Sequence, residues 1–318
     1  MIDLNLIKRN ITELVTEDEL EQLLSEKREP VTYCGYEVSG PVHIGTLIAV
    51  FKQIDLMNAG LKTKVLFADL HTYLNRKGKE SWIEEMVEYW KDCFIALGLK
   101  KVEFVRGTEF EFDKDYIRDV LNLGLLTTMN RALRSMQEIA RDIEHARVSQ
   151  AIYPLMQIAD IKALGADIVH GGMEQRRIHM LARETLPRVG YKKPVCIHTP
   201  LLFSLQGPEE KMSSSKPETM IKVEEEPECI KSKISKAYCP LSAEGNPILQ
   251  VCKYLLFPRI GGIDIKRKEE FGGDLRIESY PELEREYLSK RIHPEDLKNS
   301  VADSLIEILE PVRERIVE

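Results

Sequence analysis

Val31-Thr32-Tyr33-Cys34-Gly35-Tyr36-Glu37, followed by Ser39-Gly40-Pro41 and then by Ile44, Leu47, Ile48, Phe51 and Ile54, decides the reading of this chain. The first segment is β-branched and aromatic, which suits a pleated and buried surface, so it predicts a strand. Ser39-Gly40-Pro41 supplies turn chemistry. The apolar residues beyond it recur three and four apart, the spacing of one helix face, from about His43 until Gly60 ends the run.

Working outward, Lys64-Val65-Leu66-Phe67-Ala68 reads as a second strand. Ser81 followed by Glu84 has the pattern of a capping box and opens a helix through Leu97 that stops at Gly98. A third strand covers Val102 to Val105. This alternation predicts an α/β fold with a Rossmann-like, doubly wound parallel sheet. From about 113 to 164 the periodicity is helical only, and strand patterning resumes at Asp167-Ile168-Val169 and Val195-Cys196-Ile197. A helical insertion between two βα halves is the simplest arrangement. A polar helix precedes the first strand. Beyond about residue 225 the pattern is helical again, with an irregular stretch at 261–278. The expected domains are therefore 1–225 and a mainly α-helical 226–318.

The 318-residue length favours two domains. Apolar residues at 43% and charged residues at 31% exclude wholesale disorder. A formal net charge of -7 argues against a protein that coats nucleic acid indiscriminately, while leaving room for a local basic stripe. Six cysteines lie far apart without a Cys-x-x-Cys pair, which predicts reduced thiols and neither a disulfide framework nor a zinc site. The start Met1-Ile2-Asp3-Leu4-Asn5 lacks signal-peptide character, and no apolar run is long enough to span a bilayer, so a cytoplasmic protein with no membrane partner is expected.

Two loops have phosphate-handling chemistry. Gly40-Pro41-Val42-His43-Ile44-Gly45 joins the first strand to its helix, where free N–H groups and partial positive charge favour anions. A histidine there can donate to phosphate oxygen, and Gly45 permits close approach of a nucleotide. On its residues alone the segment also reads, as the lesser alternative, as a βα turn with a capping histidine. The second loop, 207–216, ends in Lys211-Met212-Ser213-Ser214-Ser215-Lys216. Its small polar residues predict mobility, and a mobile lysine can meet charge developing on a departing pyrophosphate. Alone it also reads as a solvated linker.

Tyr153-Pro154-Leu155-Met156-Gln157-Ile158-Ala159-Asp160-Ile161 is apolar almost all round, the mark of a buried helix. Tyr153, Gln157 and Asp160 nevertheless share a face, and buried Asp and Gln need hydrogen-bond partners. Either a neighbouring loop or a ligand supplies them. Tyr33 by itself reads as a core aromatic. Gly171-Gly172 follows the strand Ile168-Val169-His170. His71 and His179 have no metal-ligand spacing to another histidine or cysteine, read as structural, and no protein-bound metal is expected. Near the C-terminus, Ile230, Ile234 and Ala237 form an apolar stripe, while Lys231, Lys233 and Lys236 project elsewhere, onto a face that is solvated or contacts RNA. Asp296 sits one turn into a helix opened by Pro294, where a carboxylate also favours the helix dipole.

Together the two loops resemble the paired HIGH and KMSKS motifs of class I aminoacyl-tRNA synthetases. The resemblance to archaeal tyrosyl-tRNA synthetases spans the chain, through 33–45, Ala68-Asp69-Leu70-His71, 153–160, Gly171-Gly172-Met173-Glu174-Gln175 and His293-Pro294-Glu295-Asp296-Leu297-Lys298-Asn299. It implies a tyrosine–tRNA ligase using ATP with Mg2+. Residues 1–225 would form the catalytic domain and 226–318 an anticodon-binding domain. Tyr33 and Asp160 would hold the phenolic hydroxyl of tyrosine, and Tyr153, Gln157 and Gln175 its α-amino group. ATP would meet Gly40, His43, Gly45, Gly171, Gly172, Lys211, Met212, Ser213 and Ser214, with His43 and Lys211 catalytic. Phe271 and His293 would sandwich the first anticodon base of tRNA(Tyr), Asp296 would bond to it, and Arg176 would read the first acceptor-stem pair. A homodimer through the helical insertion is implied as well. Thr46 stands where the family usually has histidine, and Ser214 replaces the later lysine of the second motif, which leaves Lys211 as the main cation. Competing readings are a tryptophan-specific synthetase, a small nucleotidylyltransferase and a non-catalytic RNA-binding relative.

Overall fold

The computed structural model describes residues 2–139, 145–212 and 216–317. Its first elements are α1 (Leu4–Lys8), β1 (Glu13–Val15), α2 (Glu17–Glu26), β2 (Val31–Tyr36), α3 (Ile44–Asn58) and β3 (Lys62–Phe67). Then follow α4 (Asp69–Leu74), α5 (Glu80–Ala96), β4 (Glu103–Arg106), α6 (Lys114–Leu126), α7 (Met129–Ser135), α8 (Val148–Ala163), β5 (Ile168–Gly172), α9 (Arg176–Thr185) and β6 (Val195–Thr199). These six strands form one sheet in the order β1-β6-β5-β2-β3-β4.

β2 is central and runs parallel to both neighbours, with Tyr33 opposite Lys64 on β3 and Val169 on β5. The strand order therefore reverses between β2 and β5. In open parallel sheets such a reversal leaves a crevice beyond the strand ends, the usual place for a ligand. This is the expected doubly wound α/β sheet, and α6, α7 and α8 supply the expected helical segment between β4 and β5. Tyr116, Val120 and Leu123 of α6 belong to the same buried cluster as Met156, Ile158 and Ala159 of α8, and this fixes α8 beside the sheet.

Two details differ from expectation. The N-terminal segment is two helices separated by β1, a three-residue strand antiparallel to β6. So short a strand carries too few residues to show a period. Ser81 lies inside α5, which starts at Glu80, so the Ser81–Glu84 pattern is not its cap.

The chain divides into two compact units, one of Met1–Ser39, Lys52–Lys91 and Gly98–Pro200, the other of Gly40–Phe51, Asp92–Leu97 and Leu201–Glu318. The second unit contains the hairpin β7 (Phe203–Ser204) and β8 (Gly207–Lys211), then α10 (Pro227–Lys236), α11 (Pro247–Val251) and α12 (Phe257–Ile260). It continues through β9 (Ile263–Ile265), β10 (Leu275–Ile277), α13 (Tyr280–Leu288) and α14 (Pro294–Val317). Beyond residue 225 the chain is mainly helical, as the periodicity predicts. Ile230 and Ile234 of α10 are fully buried, as are Leu297, Val301 and Leu305 of α14, and the two helices pack together. The irregular stretch at 261–278 is the β9–β10 hairpin with its connecting loop. No helix among the described residues is long and apolar enough to cross a membrane.

Candidate active site

A cavity of about 190 Å³ opens within the first unit, over β2 and α8. Its lining includes all five residues expected around an amino acid: Tyr33 from β2, Tyr153, Gln157 and Asp160 from one face of α8, and Gln175 from the turn after β5. Leu66 and Ala68 add apolar surface, and Glu37, His71 and Glu174 add polar groups. Gln157 Nε2 donates to Gln175 Oε1 at 3.1 Å, whereas Gln157 Oε1 is buried without a partner among the described residues. The Tyr33 hydroxyl lies 3.5 Å from the Gln157 carbonyl oxygen. Burial, reinforced by the charge of Asp160, pushes the Tyr33 hydroxyl well above the usual tyrosine range, so it stays a neutral donor and acceptor.

Asp160 is 1% exposed and has protein partners that its own helix did not announce. The Tyr116 hydroxyl is 2.7 Å from Oδ1, and His71 Nε2 is 3.5 Å from Oδ2. On its other side His71 Nδ1 stands 3.1 Å from Oε1 of Glu111, itself fully buried. Neither imidazole contact is aligned as a hydrogen bond, but both are at ion-pair distance. Burial opposes the charged form of His71, yet the Glu111 and Asp160 carboxylates outweigh it and raise the imidazole above its usual range. Burial, with Glu111 nearby, raises Asp160. His71, Glu111 and Asp160 each offer one ligand atom within 4.8 Å of the others, the one such trio found among the described residues.

The two loop motifs lie in the second unit. His43 and Lys222 form an antiparallel bridge, and Ile44 N–H donates to the Ile221 carbonyl at 2.9 Å, which pins the start of α3. His43 Nδ1 accepts from Gly45 N–H at 3.1 Å. Burial pushes His43 down to about 4, so the ring is neutral near pH 7, and with Nδ1 accepting from Gly45 its proton sits on Nε2. Thr46 N–H donates to the His43 carbonyl at 2.8 Å and completes the turn; Gly40 precedes it with φ 154°. Met212 is buried, with its Cβ against the backbone of Gly45. Lys211 ends β8, its backbone paired with Phe203. Ser213 and Ser214 lie outside the described residues. The structure thus brings together His43, Gly45, Thr46 and Met212.

Gly171 and Gly172 end β5 and pair with His198 and Thr199 of β6. A Cβ at Gly171 would stand 2.9 Å from Gln175 Cγ, and one at Gly172 2.2 Å from a Glu174 carboxylate oxygen. A side chain at either position would make Glu174 or Gln175, which fold back over the strand end, shift. Sequence reasoning passed over Glu37, Glu111, Tyr116 and Glu174. Only Glu174, beside the paired glycines, carried a local signal.

A second concavity, about 850 Å³, lies in the C-terminal part of the second unit and gathers Phe271, His293 and Asp296 with Arg267, Lys268, Lys290 and Arg291. Phe271 is 65% exposed, and His293 Nδ1 accepts from Glu295 N–H at 3.2 Å at the start of α14. Arg176, in the first unit, is held by Glu13 of β1 through its Nε and one terminal nitrogen at 2.8–2.9 Å.

With this geometry in view, similarity to known proteins is specific. A family model for class I tRNA synthetases (W and Y) matches residues 25–310. A tyrosine–tRNA ligase of Methanopyrus kandleri is 51% identical over 316 residues, 98% of this chain and 97% of that protein. One of Methanocaldococcus jannaschii is 51% identical over 318 residues, covering 99% and 100%. The crystal structure of tyrosyl-tRNA synthetase from Archaeoglobus fulgidus with L-tyrosine superposes with a TM-score of 0.95 at 50% identity, covering 98% of each chain.

Proposed function

The chain belongs to the class I tRNA synthetases of tryptophan and tyrosine, in their archaeal tyrosine–tRNA ligase branch, and on that premise we propose that it activates tyrosine with MgATP and transfers it to tRNA(Tyr) in the cytoplasm. The observation that carries the specificity is that Tyr33 and Asp160, both buried, line one small cavity. A phenol there donates to Asp160 and accepts from Tyr33. Phenylalanine would leave those buried groups unpaired, and rejection of phenylalanine by tyrosine-activating enzymes is itself a standing example of that rule. An indole offers no hydroxyl to either residue, which favours tyrosine over tryptophan.

The ammonium of the substrate faces Tyr153, Gln157 and Gln175, where the unpartnered Gln157 Oε1 gains a charged donor. The substrate carboxylate attacks the α-phosphate of ATP in line, and pyrophosphate leaves. Neutral His43 donates through Nε2 to phosphate oxygen, and Lys211, with Met212, Ser213 and Ser214, meets the charge that develops on the departing group. Gly40, Gly45, Gly171 and Gly172 let the nucleotide approach the backbone; magnesium arrives with ATP as part of the substrate. Thr46, unable to carry charge, contributes at most a hydroxyl hydrogen bond. The 3'-terminal ribose hydroxyl then attacks the carbonyl of the tyrosyl-adenylate, the acyl–phosphate bond breaks and AMP leaves with no protein nucleophile taking part.

Residues 1–225 are proposed as the catalytic domain and 226–318 as the anticodon reader. Phe271 and His293 would stack on an unpaired base and Asp296 would accept hydrogen bonds from its edge, in a concavity whose four basic residues suit the RNA backbone. Arg176 would contact the acceptor stem. A homodimer is supported by α6, where Ile117, Leu121 and Leu125 lie 42%, 66% and 86% exposed at a spacing of four, an apolar stripe of the kind that marks protein contacts.

Amino-acid-dependent pyrophosphate–ATP exchange tests the proposal. Tyrosine should drive exchange and phenylalanine and tryptophan should not; exchange driven by tryptophan alone overturns the specificity.

A further inference from the structure

We propose that His71, wedged between Glu111 and Asp160, is a positioning residue that decides which oxygen of Asp160 is offered to the substrate's phenol. The inference rests on the reading of the cavity as a tyrosine site and deepens it.

Three titratable groups from separate segments meet here: His71 from α4, Asp160 from α8, and Glu111 from the loop before α6. None is more than 1% exposed. A net charge so deep is costly, so the trio must approach neutrality. One imidazolium balances one carboxylate. With His71 3.1 Å from Glu111 and 3.5 Å from Asp160, the pair is His71–Glu111, and Asp160 holds a proton.

The Tyr116 hydroxyl supports the same assignment by hydrogen-bond counting. It lies 3.0 Å from the Met156 carbonyl oxygen and 2.7 Å from Asp160 Oδ1, but has one proton to give. A carbonyl can only accept. If Tyr116 donates to Met156, the other short contact needs its hydrogen from Asp160, so the acid proton resides on Oδ1. Oδ2 is then the acceptor left for a ligand hydroxyl, with His71 Nε2 beside it.

Glu111 is fully buried, its carboxylate lies against Gly107, and its N–H is bonded to the Gly107 carbonyl at 2.9 Å. His71 therefore has a buried carboxylate on one side and, on the other, the residue it orients. The remaining groups around it are Tyr153 of α8, edge-on at 4.7 Å, Tyr33 of β2, Tyr116 of α6, and the Glu37 carboxylate after β2. On its own helix, Asp69 is occupied by the Thr108 hydroxyl at 2.6 Å. The three tyrosines are held neutral by burial and Asp160 by its proton, so the charges acting on His71 come from Glu111 and Glu37. Both His71 and Asp160 are shifted upward, so both protons are retained through neutral pH and lost in alkali.

The test is pyrophosphate exchange by the full-length protein, with KM for tyrosine measured across neutral and alkaline pH. Glu111→Gln removes the buried anion; His71→Gln keeps a neutral donor that cannot titrate. Glu111→Gln should raise KM about tenfold, with a smaller change in kcat, and move the alkaline rise in KM to lower pH. His71→Gln should flatten that rise. The substrate's own amino and phenol groups titrate alike in every variant, so the difference from the parent isolates the protein. Either variant alone decides the matter if the other does not fold. An alkaline profile unchanged from the parent in a folded variant overturns the proposal. Asp160→Ala separates the two levels: unchanged discrimination against phenylalanine sinks the tyrosine-site reading itself. If discrimination collapses in Asp160→Ala while the pH profile of Glu111→Gln stays like the parent's, only the role of His71 falls.

Discussion

A Cβ built on Gly45 would stand 3.2 Å from the Cβ of Met212 and 2.8 Å from the His43 ring. The two loop motifs, more than 160 residues apart in the chain, are thus in direct contact where phosphate is expected. Gly45→Ala should displace His43 or push Met212 away, and pyrophosphate exchange should fall on the order of 10- to 100-fold. The melting temperature should change by only a few degrees. An alanine variant with parental exchange would show that the contact has slack.

Asp296→Ala should slow aminoacylation about 10-fold and leave tyrosine-dependent exchange within about twofold if the second concavity is the proposed RNA site, since the proposed amino-acid cavity has a different lining. Measuring both reactions on one preparation checks this. Equal losses in both would point to a folding role at the start of α14.

Leu121 is 66% exposed in the middle of the α6 stripe. If α6 forms the proposed dimer interface, Leu121→Glu should convert the dimer into a monomer in sedimentation, since a single buried charge in an apolar interface costs several kcal/mol. A parental sedimentation coefficient for the variant would remove α6 from the interface.

How much could be read in advance depended on how local the signal was. β2, α3 and β3 were legible because strand and helix periods differ and each ran long enough to count. β1, with three residues, and the β9–β10 hairpin, with three residues in each strand, were too short to show a period. Tyr153, Gln157 and Asp160 were legible because one helix face carries all three. The surroundings of Asp160 were not: His71, Glu111 and Tyr116 come from 44 to 89 positions away, and only the folded sheet brings them together. The earlier expectation that His71 is a plain structural histidine followed from looking for a second histidine or cysteine, when its partners are carboxylates.

Acid should destabilise the fold through buried histidines. Burial holds His170 well below its usual value, His179 at about 3 and His43 at about 4. Each therefore binds its proton more weakly in the folded chain than in the unfolded one. The stability they contribute is complete above 6.5 and is lost as pH falls from there towards 3 or 4. For His179 alone the loss by about pH 4 is on the order of 3 kcal/mol. Urea midpoints between pH 7 and 4 should fall, and His179→Gln should make that fall shallower. An unaltered slope would mean that His179 is not buried neutral.

The clasp of Glu13 around Arg176 has a further consequence. A guanidinium already engaged by a carboxylate presents little loose positive charge to passing polyanions. An RNA end that engages Arg176 must dislodge Glu13, and Glu13 also lies 2.9 Å from His198 Nδ1. Entry of the nucleic acid would then loosen β1 from the sheet margin, so hydrogen–deuterium exchange at residues 13–15 should quicken when tRNA docks.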